Sequence, residues 1–351
     1  MSGTRPSTRH PGGSAQRVVL TGGAGFIGSH LAERLIELGY HVTVLDELST
    51  GRKENISHLL GDPSFAFVQG SILDRDLLGG LSQGATYVFH QAAIPSVPRS
   101  MQDPLATHHA NATGTLNVLL AARDARVAHV VLASSCAVYG DPSAAPLTED
   151  TLPQPLSPYA VSKLAAEAFC AVFTRAYGLP TTALRYFNVY GPRQDPNSEY
   201  AAVIPKFIRA ALAGQHLTIY GSGNQTRDFT YVTDVVAANI LAATHGLTGV
   251  YNVGCGDVIS VRQLADLILR LTGSNSQVVL ADARPGDILA SQADVSRLMQ
   301  YGWTPSTSLA EGLQKAITAT QQCRADSDVR DAERGATPCN TTPPHRHQVT
   351  R

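Results

Sequence analysis

The chain has 351 residues, 43% of them hydrophobic, and 27 Lys+Arg against 28 Asp+Glu give it a formal net charge of −1. At about 150 residues per domain, this is enough for two domains or one large, elaborated one. The near-neutral balance excludes binding driven by a broad phosphate-attracting field, so nucleic acid is not an expected partner, and no apolar run approaches the ~18 residues of a bilayer span.

Residues 1–16 (MSGTRPSTRHPGGSAQ) are polar and rich in Pro, Gly and Ser, lack the apolar stretch of a signal peptide, and are expected as a disordered tail. Arg17–Thr21 (RVVLT) then reads as a buried strand, followed by helix-period apolar residues over Ile27–Leu38. Further strands are expected at Val42–Leu45, Ala66–Gln69, Thr86–His90, Val130–Ser134 and Thr181–Tyr186. Between them, Asp74–Leu81, Thr107–Arg123 and Tyr159–Tyr177 are long enough for crossover helices. Strands alternating with helices imply an α/β fold, a doubly wound parallel sheet of Rossmann type covered on both faces. That domain is expected over 17–190, with a returning segment at about 228–252. After Gly191 the rhythm changes, with Pro192, Pro196 and Pro205 crowding a loop-rich stretch. A smaller, mostly helical, substrate-binding part is expected over 191–320, including helices at Val261–Thr272 and Leu309–Thr318. Residues 321–351 turn polar and read as a second disordered tail. His345 and His347 within it lack further ligands at useful spacing, so no metal is expected. The five cysteines (Cys136, Cys170, Cys255, Cys323 and Cys339) are odd in number and dispersed, which suits free thiols in a cytoplasmic protein.

Directly after the first strand stands Thr21-Gly22-Gly23-Ala24-Gly25-Phe26-Ile27-Gly28. Such a string gains weight from its place between a strand and a helix. Missing Cβ atoms let the backbone approach a pyrophosphate, and the helix N-terminus offers free N–H groups and the positive end of a dipole. Asp46 closes the second strand, where a carboxylate accepts hydrogen bonds from the adenosine ribose. Asp46 and Glu47 would repel a 2′-phosphate, which favours NAD over NADP. Gln91, Ala92 and Ala93, ending the strand at His90, put small side chains where the cofactor would cross the sheet edge. Gly22, Gly25, Phe26, Ile27 and Gly28, with Asp46, the Gln91–Ala93 set, and Ser71 and Ile72 after the third strand, make up the expected cofactor contacts.

Tyr159-Ala-Val-Ser-Lys163 opens a helical stretch, and its i, i+4 spacing sets phenol and ammonium on one face. An ammonium within about 4–6 Å can lower a phenol pKa by roughly 1–3 units. Tyr159 could then act as a general base, with Lys163 lowering its pKa. Upstream, Ser134–Gly140 (SSCAVYG) ends another strand, and Ser135 is the hydroxyl expected to hydrogen-bond the reacting oxygen.

With these motifs, the chain resembles the extended short-chain dehydrogenase/reductase family, the NAD-dependent nucleotide-sugar epimerases and dehydratases. The resemblance runs from about Arg17 to Thr320 and rests also on Ser157–Lys163 (SPYAVSK), Arg185–Gly191 (RYFNVYG), Asn224–Phe229 (NQTRDF) and Arg284–Ile288 (RPGDI). It implies that Tyr159 takes a proton from a sugar 4-hydroxyl while hydride leaves C4 for NAD⁺, with Lys163 also holding the nicotinamide ribose. In 4,6-dehydratases an Asp-Glu pair follows the position of Ser135, whereas here Cys136 and Ala137 stand there, which argues for epimerisation. Cys136 is the departure from pattern, as a small filler or a proton donor.

The resemblance further assigns Asn188 and Arg227 to the diphosphate, Tyr220 to the neighbourhood of the base, and Arg284 with Asp287 to phosphate and ribose. Val203, with Ile204, Pro205 and Phe207, would wall a uracil. Gln91–Ser100 and Gly191–Pro205 look like bacterial UDP-N-acetylglucosamine 4-epimerases, Ser96 would face the hexose, and Ser291 stands where a Tyr would exclude an N-acetyl group. Arg193 is the candidate to hold a sugar carboxylate, which keeps UDP-glucuronate open as a substrate. A nucleotide-sugar dehydratase or decarboxylase, and a non-catalytic NAD-binding regulator, also stay open. A homodimer is expected by analogy, through the helix bearing Tyr159, with Ala165, Ala166, Phe169 and Val172 as candidate contacts.

Overall fold

The computed structural model describes residues 15–141, 145–195, 202–283 and 288–335. Six strands form where the apolar runs predict them: β1 (Arg17–Thr21), β2 (His41–Asp46), β3 (Phe65–Gln69), β4 (Tyr87–His90), β5 (His129–Ser135) and β6 (Thr181–Tyr186). Beyond them lie β7 (Val189–Tyr190), β8 (Leu217–Tyr220), β9 (Thr226–Arg227), β10 (Thr230–Tyr231), β11 (Gly249–Val253), β12 (Ile259–Ser260), β13 (Val278–Ala281) and β14 (Ala290–Ser291). The main sheet has seven strands in the order β11-β6-β5-β4-β1-β2-β3, all parallel. The order of winding reverses between β1 and β4, and ligands of open α/β sheets bind beyond the strand ends at such a point.

The helices are α1 (Phe26–Glu37), α2 (Arg75–Ser82), α3 (Val97–Gln102), α4 (Pro104–His108), α5 (Gly114–Asp124), α6 (Pro158–Tyr177), α7 (Val203–Leu212), α8 (Val232–Thr244), α9 (Val261–Thr272), α10 (Ser296–Met299) and α11 (Leu309–Gly335). Successive strand residues feed opposite layers, as the period of two requires. Val18, Leu20, Val42, Val44, Val131 and Ala133 pack with Leu31 and Leu35 of α1 and Val235 and Val236 of α8. Val19, Leu45, Val130 and Leu132 pack instead with Leu78 of α2, Val118 and Leu119 of α5 and Phe173 of α6. A third core joins Phe207 and Ile208 of α7, Leu264 and Ile268 of α9 and Leu313 of α11.

Two elements depart from expectation. The helix foreseen over Thr107–Arg123 is interrupted by a π-helical turn at His109–Thr113 between α4 and α5. Gly114 follows the turn because Ile72 lies against it: a Cβ there would stand 2.4 Å from Ile72 Cδ1. The tail expected from Gln321 is instead helical as far as Gly335, and residues 321–334 contain no Pro or Gly to break α11. Polarity alone does not separate a helix from an unstructured chain, because a helix that meets water on every side is polar all round. Residues 1–14 and 336–351, including His345 and His347, lie outside the described residues. Among the described residues, no helix is long and apolar enough to cross a membrane.

Candidate active site

The glycine turn joins β1 to α1 at the reversal point. Gly22 has φ +72°, and a Cβ on it would stand 2.5 Å from the Ala92 backbone nitrogen at the end of β4. A Cβ on Gly28 would stand 2.2 Å from the Gly22 carbonyl oxygen. Both positions therefore need glycine. Gly25 is the N-cap of α1 and has no side chain to close the helix end, so Phe26 and Ile27 open the helix with free amides. Asp46 accepts from Ala24 N–H at 2.9 Å and Leu48 N–H at 2.8 Å. Burial raises its carboxyl above the usual range, against the lowering effect of those amides. Gly51 closes over the same carboxylate, where a Cβ would stand 2.8 Å from either oxygen. This cradle of bare backbone, helix N-terminus and strand-end carboxylate fits a dinucleotide.

The other cofactor candidates line the same sheet edge. Gln91 N–H donates to Thr21 O at 3.0 Å, while its side-chain amide donates to Tyr186 and Asn239. Ala92 and Ala93 follow directly. Ser71 caps the turn after β3 through Leu73 N–H, and Ile72 is buried against Gly114. Beneath them Thr115 donates to Asn111 O, so His90 Nε2 donates to Thr115 and Nδ1 accepts from Thr21 at 2.7 Å. His90 is wholly buried and its pKa is held down to about 3, first by desolvation and then by Lys163, so the ring stays neutral.

The reactive group stands at the ends of β5 and α6. Ser157 caps α6 by accepting from Ala160 N–H, Pro158 starts it, and Gly178 ends it in the left-handed conformation, φ 69°. Tyr159 and Lys163 share the inward face, and Lys163 is only 4% exposed. Its Nζ donates to Ala133 O at 2.8 Å and lies 6.0 Å from the centre of the Tyr159 ring. Burial pushes Lys163 down to about 8, against the raising charge of Glu167. Tyr159 departs from expectation, since burial pushes its phenol up to about 12 despite the hydrogen bond with Ser135. The ammonium points to a backbone carbonyl rather than the phenol, so desolvation wins here.

Cys136 sits against the backbone of Asn188 and the side chain of Ser291, and burial pushes its thiol up to about 11. Ser291 is 2% exposed, and its Oγ makes no well-aligned hydrogen bond. It reaches this place because β14 pairs with β9, setting Ser291 beside Arg227. Asn188, in the left-handed region at φ 30°, donates to Asp228 O at 2.9 Å. Asp228 in turn accepts from the amides of Cys255, Gly256 and Ala293, which fixes the strands carrying Arg227 and Ser291. Ser135, Cys136, Tyr159, Lys163, Asn188, Arg227 and Ser291 are thus gathered in one region.

The contacts of the other candidates lie outside that group. Arg193 has a left-handed backbone, φ 67°, and its Nη2 pairs with Glu33 of α1 at 2.8 Å, while its buried Nη1 has no hydrogen-bond partner among the described residues. Ser96 Oγ caps α3. Val203 opens α7 against the third core, and Tyr220 ends β8 partly exposed. Arg284 and Asp287 lie outside the described residues. Of the foreseen dimer contacts, Ala166 belongs to the core and Phe169 packs on it, while Val172 is exposed. Among the described residues there is no cluster able to hold a metal ion.

Sequence reasoning missed Asn111, which sits in the π-helical turn. Its side chain accepts from Ile94 N–H at 2.8 Å and donates to Ser162 at 3.0 Å, tying the segment after β4 to α6. An Asn within a helical pattern carries no local signal of such a role.

Known proteins of similar sequence and fold place the chain in a family. Residues 18–254 match the sequence profile of the NAD dependent epimerase/dehydratase family. The UDP-glucose 4-epimerase of Mycolicibacterium smegmatis is 41% identical over 305 residues, 86% of this chain and 97% of that protein. The UDP-glucuronic acid decarboxylase 1 of Xenopus tropicalis is 36% identical over 309 residues, 86% of this chain and 71% of that protein. Among solved structures, the UDP-N-acetylglucosamine 4-epimerase from Methanobrevibacter ruminantium M1, in complex with UDP-N-acetylmuramic acid, superposes with a TM-score of 0.86 at 40% identity, covering 88% of this chain and 99% of that one. The chain is an enzyme with NAD as its cofactor, and it belongs to the NAD dependent epimerase/dehydratase family.

Proposed function

We propose that the protein catalyses 4-epimerisation of a UDP-sugar through a transient 4-keto sugar, acting on UDP-GlcNAc/UDP-GalNAc and on UDP-glucose/UDP-galactose. Tyr159 accepts the proton of the 4-hydroxyl, Ser135 hydrogen-bonds the same oxygen, and hydride leaves C4. The ketone turns over, hydride returns to its other face, and Tyr159 gives the proton back. Oxidised NAD, when bound, would supply the hydride acceptor and a positive charge. That charge favours the phenolate, and Lys163 adds to it while protonated.

The observation that carries this reading is the make-up of the wall beside Ser135. Expulsion of water needs a general acid. Cys136 is held as a weakly acidic thiol, and Asp228, although burial raises its carboxyl, accepts backbone amides on both oxygens: Cys255 on one, Gly256 and Ala293 on the other. With both oxygens engaged as acceptors it is not placed to hand a proton to a leaving hydroxyl. The UDP-glucuronate readings rest on a cation for the carboxylate, and Arg193 is already paired with Glu33. The test is incubation of the pure protein with UDP-glucose, UDP-GlcNAc and UDP-glucuronate, with products identified by NMR. Isomers of equal mass support epimerisation; loss of water or CO₂ contradicts it.

Ser291 supports acceptance of the N-acetyl group, since a short side chain stands where a Tyr would fill the space beside Cys136. A Ser291→Tyr variant should lose turnover of UDP-GlcNAc by about 10²-fold, a steric penalty of roughly 3 kcal/mol, while UDP-glucose turnover changes little. Equal loss on both sugars would contradict this role. A homodimer belongs to the same reading, supported by the exposed apolar residues Met101, Leu105, Val161 and Val172 on α3, α4 and α6. Light scattering should then give twice the 37.2 kDa chain mass, and a monomer mass would remove it.

A further inference from the structure

We propose that Glu167 and Arg185 form a positioning unit for the catalytic group, one that ties α6 to β5 and β6 behind Tyr159 and Lys163, with the Glu167 carboxylate of that unit favouring the charged form of Lys163. Tyr159, Lys163 and Glu167 follow one another at i, i+4 steps along α6, so the three share a face. Glu167 is the inner member. It accepts from Ser134 Oγ at 2.5 Å, from Arg185 Nε at 2.9 Å and from Arg185 Nη2 at 2.7 Å. Ser134 precedes Ser135 in β5, and the residue before it supplies the carbonyl that Lys163 binds. Arg185 lies 4.6 Å over the Tyr139 ring, and Tyr139 donates to Asn252 at 2.7 Å. One carboxylate therefore fixes the helix of Tyr159 to the strand of Ser135.

Both charges are almost wholly removed from water, with side-chain exposures of 4% and 5%. A buried ion pair is a weak source of stability, because well-packed apolar residues often serve as well. Its place behind the reactive group offers a better account. The groups facing Lys163 are Tyr159 and Glu167 from its own helix, His90 from β4, and the uncharged Ala133 carbonyl from β5, with Arg185 of β6 behind Glu167. His90 is neutral, so Glu167 is the anion opposing the desolvation of the ammonium. Arg185 offsets part of that field.

This inference rests on the epimerase reading only for its kinetic arm. The lysines of the chain are Lys53, Lys163, Lys206 and Lys315, so [ε-¹³C]lysine labelling of the full-length, NAD-saturated protein gives a simple spectrum in which Lys163 is assigned by its loss in Lys163→Met. In Glu167→Gln the titration midpoint of Lys163 should fall by about one pH unit, a tenfold rise in its acid dissociation constant. In Arg185→Met it should rise. A purely structural role predicts the reverse sign for Glu167→Gln, because a loosened site admits water and lifts the lysine towards its ordinary value. An unchanged or raised midpoint in Glu167→Gln overturns the proposal. If that variant does not fold, Ser134→Ala, which leaves both charges in place, decides: kcat on the UDP-sugar should drop about tenfold with KM and the Lys163 midpoint unchanged, and full retention of kcat overturns the positioning role. Should the wild-type protein turn over no UDP-sugar, the epimerase reading fails and the Arg185→Met titration still decides this one, a midpoint unchanged or lowered counting against it.

Discussion

Tyr159→Phe should lower kcat by about 10²- to 10⁴-fold, with sugar-nucleotide binding little changed and NAD still bound. The phenol oxygen is the proton acceptor in the proposed reaction, and Phe removes it while filling nearly the same volume. Position and surroundings point to this effect more than intrinsic acidity does. Desolvation holds the phenol up at about 12, so in the proposed reaction nearby positive charge must lower it for a phenolate to be present at neutral pH. In the proposed reaction Lys163 adds to that charge, and being pushed down to about 8 it is protonated at neutral pH and loses its proton as pH rises past that value. Activity should accordingly fall on the alkaline side near that pH. The check is steady-state kinetics on UDP-glucose alongside calorimetric NAD binding. A variant retaining more than about a tenth of wild-type kcat would remove Tyr159 from the proton transfer.

Gly28→Ala should weaken NAD binding roughly 10- to 100-fold, corresponding to about 1–3 kcal/mol of overpacking. The added carbon would stand 2.2 Å from the Gly22 carbonyl oxygen and 2.8 Å from Gly23 Cα. Those atoms are backbone of the very turn that forms the cradle, so relief means opening the turn. Gly79→Ala is the contrast: in α2 the new methyl meets nothing within 4 Å, and replacing a helical glycine should add about 0.5–1 kcal/mol of stability with unchanged NAD affinity. Titration calorimetry on both variants separates the cases. An unaltered dissociation constant in Gly28→Ala would mean that the turn does not form the dinucleotide site.

What could be read in the sequence was local. The turn at Gly22–Gly28 and the Tyr159/Lys163 pair each complete themselves within one turn or one helix, and the six leading strands show as short apolar runs. What could not be read depends on contacts across the chain. Ser291 reaches Cys136 only because β14 pairs with β9, and Glu167 meets Ser134 and Arg185 from distant parts of the sequence. The pairing of Arg193 with Glu33, 160 positions earlier in the chain, likewise has no local signal. The acidity of Tyr159 is not legible in the sequence for a related reason. Spacing reveals a neighbouring charge, whereas the extent of desolvation emerges only from packing.

The most direct measurement follows UDP-[4-²H]glucose through the reaction in ordinary water. Hydride that leaves C4 and returns to it never becomes an exchangeable proton, so UDP-galactose should form with its deuterium still at C4. Deuterium lost to solvent, or product lighter by water, would contradict oxidation and return at that carbon.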